Sequence, residues 1–334
     1  PGYRRGMPER TDYRHAGVDL GAADAALEGI REAVASTYTP QVVRGLGAFG
    51  GLFRADALPE RPVLVATTDG VGTKTRVAAA LGRWRGIGRD LVNHCVDDVL
   101  VQGARPLFFL DYVASSRLDP AVVAELVGGM ADACRAAGAP LLGGETAEMP
   151  GVYEDGEVDV VGTVIGVVGE DRLLDGSAIR DGDVVLGLAS HGLQTNGFSL
   201  ARHVLDGRYE ERLSDGRTIG EHLLDEHRSF LHAVAPLLDA ALVRGAAHVT
   251  GGGIGGNRPR VLPEGLGARI DGRWDEPEIF GRIRALGGVA EDEMRRVFNL
   301  GVGFLLVVRP DDVARAEAIC PEPLLIHTGD QSCP

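Results

Sequence analysis

A two-domain α/β architecture of the α+β type is what this chain predicts, and three observations predict it. Its 334 residues leave room for about two domains. Apolar runs of strand length alternate with segments of helical period in both halves. Between the halves a polar, turn-rich stretch from Gly169 to Asp181 interrupts the pattern. The expected layout is an arm over residues 1–14, a first domain over 15–170 and a second over 171–334.

In the first domain Val18 to Ala35 reads as a helix, followed by the glycine-rich stretch Gly45 to Gly51 (GLGAFGG). That stretch is either a flexible turn before the next strand or a ligand loop. Behind Pro62, the run Val63–Leu64–Val65–Ala66 is a buried strand that ends in two threonines. Asp69, Gly70 and Gly72 then make a turn suited to glycine, which tolerates positive φ, and Thr73 to Arg76 open a helix. A carboxylate, close-approach glycines, hydroxyls and a lysine at a strand exit suit a metal-bound polyphosphate. Asp69 would hold Mg²⁺, while Lys74 and backbone N–H groups would meet phosphate oxygens. A plain strand–turn–helix connection is the alternative, and the GxxxxGK[ST] spacing is absent.

Ile87 to Gln102 is a second helix, on which a wheel groups Asp90, Asn93 and Asp97 on the polar face. Asp98 falls at the edge of the apolar face, where a lone carboxylate is costly, so of the adjacent acids it is the better ligand candidate. Leu107 to Ser115 is a strand carrying Asp111. Pro120 to Ala137 is a helix capped by Asp119, Leu141 to Gly151 (LLGGETAEMPG) a strand opening into glycines and acids, and Val158 to Val168 a β-branched strand.

The second half restarts with a strand at Val184 to Ala189, the stretch SHGLQTNG (Ser190 to Gly197) and a helix from Ser199. Helices follow at Thr218 to Asp225 and Ser229 to Leu242. A short strand at Ala247 to Val249 leads into TGGGIGGN (Thr250 to Asn257), whose five glycines suit close approach to an anion or a mobile connection. Pro277 to Leu286 and Glu291 to Phe298 read as helices, Gly303 to Arg309 as a strand and Pro310 to Cys320 as a final helix.

Composition limits the partners. A net charge of -14 and a pI near 5.1 disfavour nucleic-acid or anionic-membrane surfaces, so phosphate must be met by metal ions and local N–H groups. Hydrophobic content of 44% supports a sizeable core. The four cysteines, Cys95, Cys134, Cys320 and Cys333, show no paired spacing and read as reduced thiols. With no signal peptide and no apolar run near the ~18–20 residues that span a bilayer, the expected location is cytoplasmic. His94, His191 and His327 read as structural or exposed.

Asp69, Asp98 and Glu145 are thus the candidate metal acids. The chain resembles the phosphoribosylformylglycinamidine cyclo-ligase (aminoimidazole ribonucleotide synthetase) family of de novo purine synthesis. The resemblance is carried by DYRHAGVD, GLGAFGG, TTDGVGTK, DLVNHCVDDVLVQGARPLFFLDYVA, GGETAEMPG, TNGFSLAR, TGGG and FNLGVG, in that order along nearly the whole chain. It implies a homodimer in which the N-terminal mixed sheets form a β-barrel at the interface, with a C-terminal α/β sheet domain completing the cleft. It also implies ATP and Mg²⁺ as cofactors and formylglycinamidine ribonucleotide as substrate. By this resemblance Asp69, Asp98 and Glu145 are magnesium and nucleotide ligands, and Lys74 contacts phosphate. Gly45, Gly47, Gly50, Thr68, Gly70, Gly72, Thr73, Gly144, Thr146, Gln194, Thr195, Asn196, Gly251, Gly252 and Gly253 line the nucleotide and substrate cleft.

One departure stands out: Gln194 occupies the place where the family usually has a histidine. The alternatives are a kinase or synthetase of the same superfamily, such as thiamine monophosphate kinase, or a nucleotide-binding homologue without catalysis. The GGETAEMPG stretch argues against the kinase.

Overall fold

The computed structural model describes residues 17–257, 260–269 and 274–327, so the arm expected at 1–14 lies outside the described residues. The first half runs α1 (Leu20–Ala35), β1 (Val42–Arg44), β2 (Leu52–Phe53), β3 (Pro62–Gly70), α2 (Lys74–Leu81), α3 (Arg85–Leu100), β4 (Arg105–Ser115), α4 (Pro120–Ala137), β5 (Leu141–Glu148) and β6 (Val158–Gly169). Local chemistry sets the helix starts. The Asp19 carboxylate accepts from the N–H groups of Gly21 and Ala22 at the head of α1, and Asp119 caps α4 with Pro120 in its first turn.

The larger strands form a mixed sheet in the order β3-β6-β4-β5, with β4 and β5 parallel and the other pairs antiparallel. The helices α3 and α4 cover one face. They approach so closely that a Cβ on Gly88 would stand 1.9 Å from the Leu126 carbonyl oxygen, and one on Gly129 1.9 Å from that of Arg85. The other face is bare along β3, where Leu64, Ala66 and Thr68 alternate with more buried neighbours. The glycine-rich stretch from Gly45 to Gly51 is the tip of the β1–β2 hairpin, which the alternation of apolar runs did not predict.

The second half contains β7 (Val184–Ala189), α5 (Phe198–Leu205), α6 (Ile219–Leu223), α7 (Leu231–Asp239), β8 (Val243–His248), α8 (Gly253–Asn257), α9 (Glu278–Gly287), α10 (Glu291–Val297), β9 (Val302–Val308), α11 (Val313–Ile319) and β10 (Leu325–His327). Its sheet has the order β10-β7-β9-β8, and its pairings are antiparallel. Thr218 and Glu221 form a reciprocal capping box on α6.

Three expectations need correction here. The strand expected at Ala247 to Val249 runs from Val243 to His248, because Val243, Gly245 and Ala246 pair with β9 around an irregularity at Arg244, despite weak strand propensity. The stretch after Thr250 is a short helix, α8, rather than an open loop. The last helix starts as a 3₁₀ turn over Pro310–Asp312 and becomes α-helical at Val313.

One core runs across the boundary between the halves. Leu91, Phe109 and Met130 of the first half belong to the same buried cluster as Leu186, Phe230 and Phe304 of the second. Helix α3 is therefore buried nearly all round, with Asp90 and Asp97 fully enclosed. The wheel's polar face is not a solvent face: it is covered by the second half.

Candidate active site at the junction of the two halves

Strand β3 delivers Asp69 to its end, where Oδ1 accepts from the Gly70 N–H at 2.7 Å and Oδ2 lies 2.8 Å from His94 Nε2. Helix α3 supplies His94 and, one turn later, Asp98. Asp98 Oδ1 lies 2.8 Å from His248 Nδ1 at the end of β8, and the Thr67 hydroxyl donates to Oδ2 at 3.5 Å. Asp69, His94 and Asp98 thus converge, with ligand atoms within 4.8 Å of one another. Both carboxylates remain partly open, Asp69 at 45% and Asp98 at 26% side-chain exposure, and so accessible to an ion. Burial alone would push the Asp69 carboxyl up, but the hydrogen bond and charge of His94 outweigh it and hold it below the usual carboxylate range. Burial lowers His94 in turn, yet the Asp69 hydrogen bond and the Asp98 charge raise it overall.

A cavity of about 540 Å³ opens beside Asp98, lined among others by Thr67, His248, Asn257 and Arg260. Asn257, in that lining, also ties down the neighbouring glycine stretch. Asn257 Nδ2 donates to the carbonyl oxygens of Thr250, Gly251 and Gly253 at 3.3, 3.2 and 2.9 Å. Gly253 must be glycine, since it has φ +60° and a Cβ there would meet the Arg295 carbonyl oxygen at 2.1 Å. A Cβ on Gly251 would lie 3.4 Å from Asn196 Oδ1, so Asn196 and Gly251 are neighbours in the fold. Thr73 stands at the head of α2 with its hydroxyl 3.3 Å from that of Ser199. Thr68, on the bare face, shares a 2.8 Å hydrogen bond with Thr163.

Three expected residues are placed differently. Lys74 is fully buried and spends its three protons on Asp90 Oδ2 at 2.7 Å and on the carbonyl oxygens of Gln194 and Asp225 at 2.9 and 2.7 Å. It points into the seam between the halves and has no proton left for a phosphate. Glu145 sits on β5, at the opposite sheet edge from β3. The register Asp69–Gly162–Asp111–Gly144 puts three strand spacings, roughly 14 Å, between that edge and Asp69. Within one chain Glu145 cannot share an ion with Asp69 and Asp98. Gln194 is only 2% exposed, packed beside His227 rather than facing the cavity.

Glu145 instead lines a second hollow, of about 250 Å³, with Gly144, Thr146, Asp111 and Leu46. Burial pushes the Asp111 carboxyl up to about 7. A Cβ on Gly144 would stand 2.1 Å from Asp111 Oδ1, which explains that glycine.

Sequence reasoning missed His227 and His248 and set His94 aside. The three rings stack about one another, with centroids 5.0, 5.0 and 5.1 Å apart. They come from three separate segments, so no spacing announces them. The one available signal was His248, two residues before TGGG at the end of an apolar run.

Comparison with known proteins now bears on this geometry. Residues 51–168 match the N-terminal domain of AIR synthase related proteins, and residues 180–326 match their C-terminal domain. A phosphoribosylformylglycinamidine cyclo-ligase of Desulfitobacterium hafniense is 49% identical over 306 residues, covering 90% of each chain. The chain belongs to the phosphoribosylformylglycinamidine cyclo-ligase family. Within the cyclo-ligase family resemblance, TDGVGTK is the end of β3 and the head of α2, and GGETAEMPG is the exposed edge strand β5. Solved structures share the fold at lower identity. Thiamine-monophosphate kinase from Stenotrophomonas maltophilia has a TM-score of 0.66 at 19% identity, covering 92% of this chain and 94% of its own. The hydrogenase maturation protein HypE in complex with ATP has a TM-score of 0.58 at 17% identity, covering 98% and 88%. No helix among the described residues is long and apolar enough to cross a membrane.

Proposed function

We propose that this cyclo-ligase family member closes the imidazole ring of aminoimidazole ribonucleotide from formylglycinamidine ribonucleotide, consuming ATP and releasing ADP and phosphate. The formyl oxygen is a poor leaving group. Transfer of the γ-phosphoryl group makes it a phosphate ester, the amidine nitrogen attacks the formyl carbon, and the C–O bond breaks as phosphate departs. The observation that carries this reading is the convergence of Asp69 with Asp98, which lines a cavity together with Asn257, the residue that ties down the Gly251–Gly253 stretch.

Each of the two carboxylates keeps lone pairs beyond its protein contacts, and two partly open carboxylates suit a hard cation that takes its remaining ligands from phosphate and water. Magnesium held there supplies charge neutralisation for the transferred phosphoryl group. The chain's own work is placement: His94 and His248 orient the two carboxylates, and Asn257 fixes the glycine stretch against which the substrate phosphate lies. Arg260, at the cavity wall, adds a positive charge for that phosphate. The hollow beside Gly144, Glu145 and Thr146 takes the nucleoside end of an ATP whose phosphates reach an Asp69–Asp98 pair. The assay is ATP hydrolysis with and without formylglycinamidine ribonucleotide. Turnover should require that substrate and yield the aminoimidazole product; hydrolysis that thiamine monophosphate supports instead would favour the kinase alternative.

The active unit in this reading is a homodimer. Leu64, on the bare face of the first sheet, is 61% exposed, and Val43, Leu52 and Phe49 of the β1–β2 hairpin are exposed too. The strands β3 and β5 are unpaired sheet edges. A second copy closing those edges into a barrel removes both liabilities, and it allows Glu145 of one copy to serve the site of the other. Light scattering at micromolar concentration should give twice 35.2 kDa; a single-chain mass would overturn this arrangement.

A further inference from the structure

Behind the Asp69–Asp98 pair, the imidazoles of His94, His227 and His248 converge, all three buried. His248 Nδ1 lies 2.8 Å from Asp98 Oδ1, which fixes its proton there and leaves Nε2 as a lone pair. His94 Nε2 likewise donates to Asp69 Oδ2 at 2.8 Å, and its Nδ1 shares a 2.7 Å hydrogen bond with the Thr195 hydroxyl. The same hydroxyl bonds His227 Nδ1 at 3.0 Å, which turns His227 Nε2 toward His248. The two Nε2 atoms face each other at 3.2 Å.

The gap gathers further acceptors. Asp97 Oδ2 lies 3.4 Å from His227 Nε2, is fully buried, and has no hydrogen-bond donor among the described residues. Gln194 has its amide 3.4 Å from the same nitrogen, and its buried Oε1 also lacks a partner. The nearby cation Lys74 is committed to Asp90.

We propose that His227, His248 and His94, with Asp97, form a binding site for a transition-metal ion of the zinc class, separate from the hard-cation site at Asp69 and Asp98. Tetrahedral zinc with metal–nitrogen bonds of about 2.0–2.1 Å places its ligands about 3.3 Å apart, which matches the His227–His248 gap. A ligand atom of His94 lies within 4.8 Å of those of the other two imidazoles, so a side-chain adjustment completes the set. Asp98 and Thr195 already hold His248 and His227 by Nδ1 with Nε2 turned inward, as outer partners do at metal centres. Imidazole with carboxylate favours zinc, cobalt or nickel over magnesium. The ion would tie α3, the segment before α7 and β8 together at the seam.

The test needs neither ATP nor substrate, so it stands apart from the proposed reaction. The full chain is stripped with a chelator, then dialysed against Co²⁺ or Zn²⁺ with excess Mg²⁺ present to occupy carboxylate sites. Elemental analysis should find one Co²⁺ or Zn²⁺ per chain, and Co²⁺ should give the visible absorption of a tetrahedral site, displaced by Zn²⁺. Asp97→Asn keeps the side-chain shape and should weaken Co²⁺ retention at least tenfold with an unchanged circular dichroism spectrum. His227→Gln should abolish the band, while His191→Ala should retain it. Folded wild type without the band, or equal bands in wild type and the Asp97 and His227 variants, overturns the proposal.

Discussion

Asp98→Asn is expected to lower turnover by a hundredfold or more while the fold survives. The amide keeps the side-chain shape and can still accept from His248 Nδ1, so the contact at 2.8 Å need not be lost. What it loses is the negative charge facing the cavity. Placement of a phosphoryl group depends on that charge through the ion it holds, and a hundredfold loss corresponds to about 2.7 kcal/mol in the barrier. The magnesium concentration for half-maximal rate should rise together with the fall in kcat, while the melting temperature should move little. Asp69→Asn should behave alike, with a second cost because His94 Nε2 then faces a neutral partner. Turnover within twofold of wild type in either variant would remove these residues from the ion site.

Lys74→Met is expected to do the opposite, leaving nucleotide affinity near wild type and undermining the fold. The substitution strands the Asp90 carboxylate in a fully buried position and takes the donor from two carbonyl oxygens. Breaking a buried pair by removing one partner costs about 3–5 kcal/mol. Denaturant titration should show a lower midpoint at similar slope, and Lys74→Met with Asp90→Leu should recover part of the loss. A lysine acting on phosphate predicts a large rise in KM for ATP at normal stability, so the two roles separate in one set of measurements.

These two residues also show how much was legible in the sequence. Asp69 could be placed at a strand exit because apolar run, glycine and helix start are local signals, and α4 appeared with its cap because Asp119 and Pro120 mark its start. The alternation that announced two sheets was equally local. Lys74 was misread because nothing near it in the chain says that Asp90, Gln194 and Asp225 will surround it; two of the three lie more than a hundred residues away. The wheel of α3 failed for the same reason. It assumed one solvent face, whereas Asp97 accepts from the Phe230 N–H at 2.8 Å and Asp90 from that of His227 at 2.6 Å, both across the seam. Beyond the histidine that closes β8, the histidine cluster had no linear signal, because α3, β8 and the segment before α7 meet only once the second half has docked.

That docking has a mechanical consequence. The seam carries a continuous apolar core together with charged and imidazole contacts from α3, the head of α2 and β8. A joint built in this way resists swinging, since opening it would bare Asp90, Asp97 and Lys74 to one another without their partners. The two halves are therefore expected to move as one body, and access to the cavity falls to a lighter part: the stretch from Gly251 to Asn257, which can shift without unpicking a buried charge. Slow steps in the catalytic cycle should accordingly track loop stiffness, for example the Asn257 tether on the glycine stretch, rather than the separation of the two sheets.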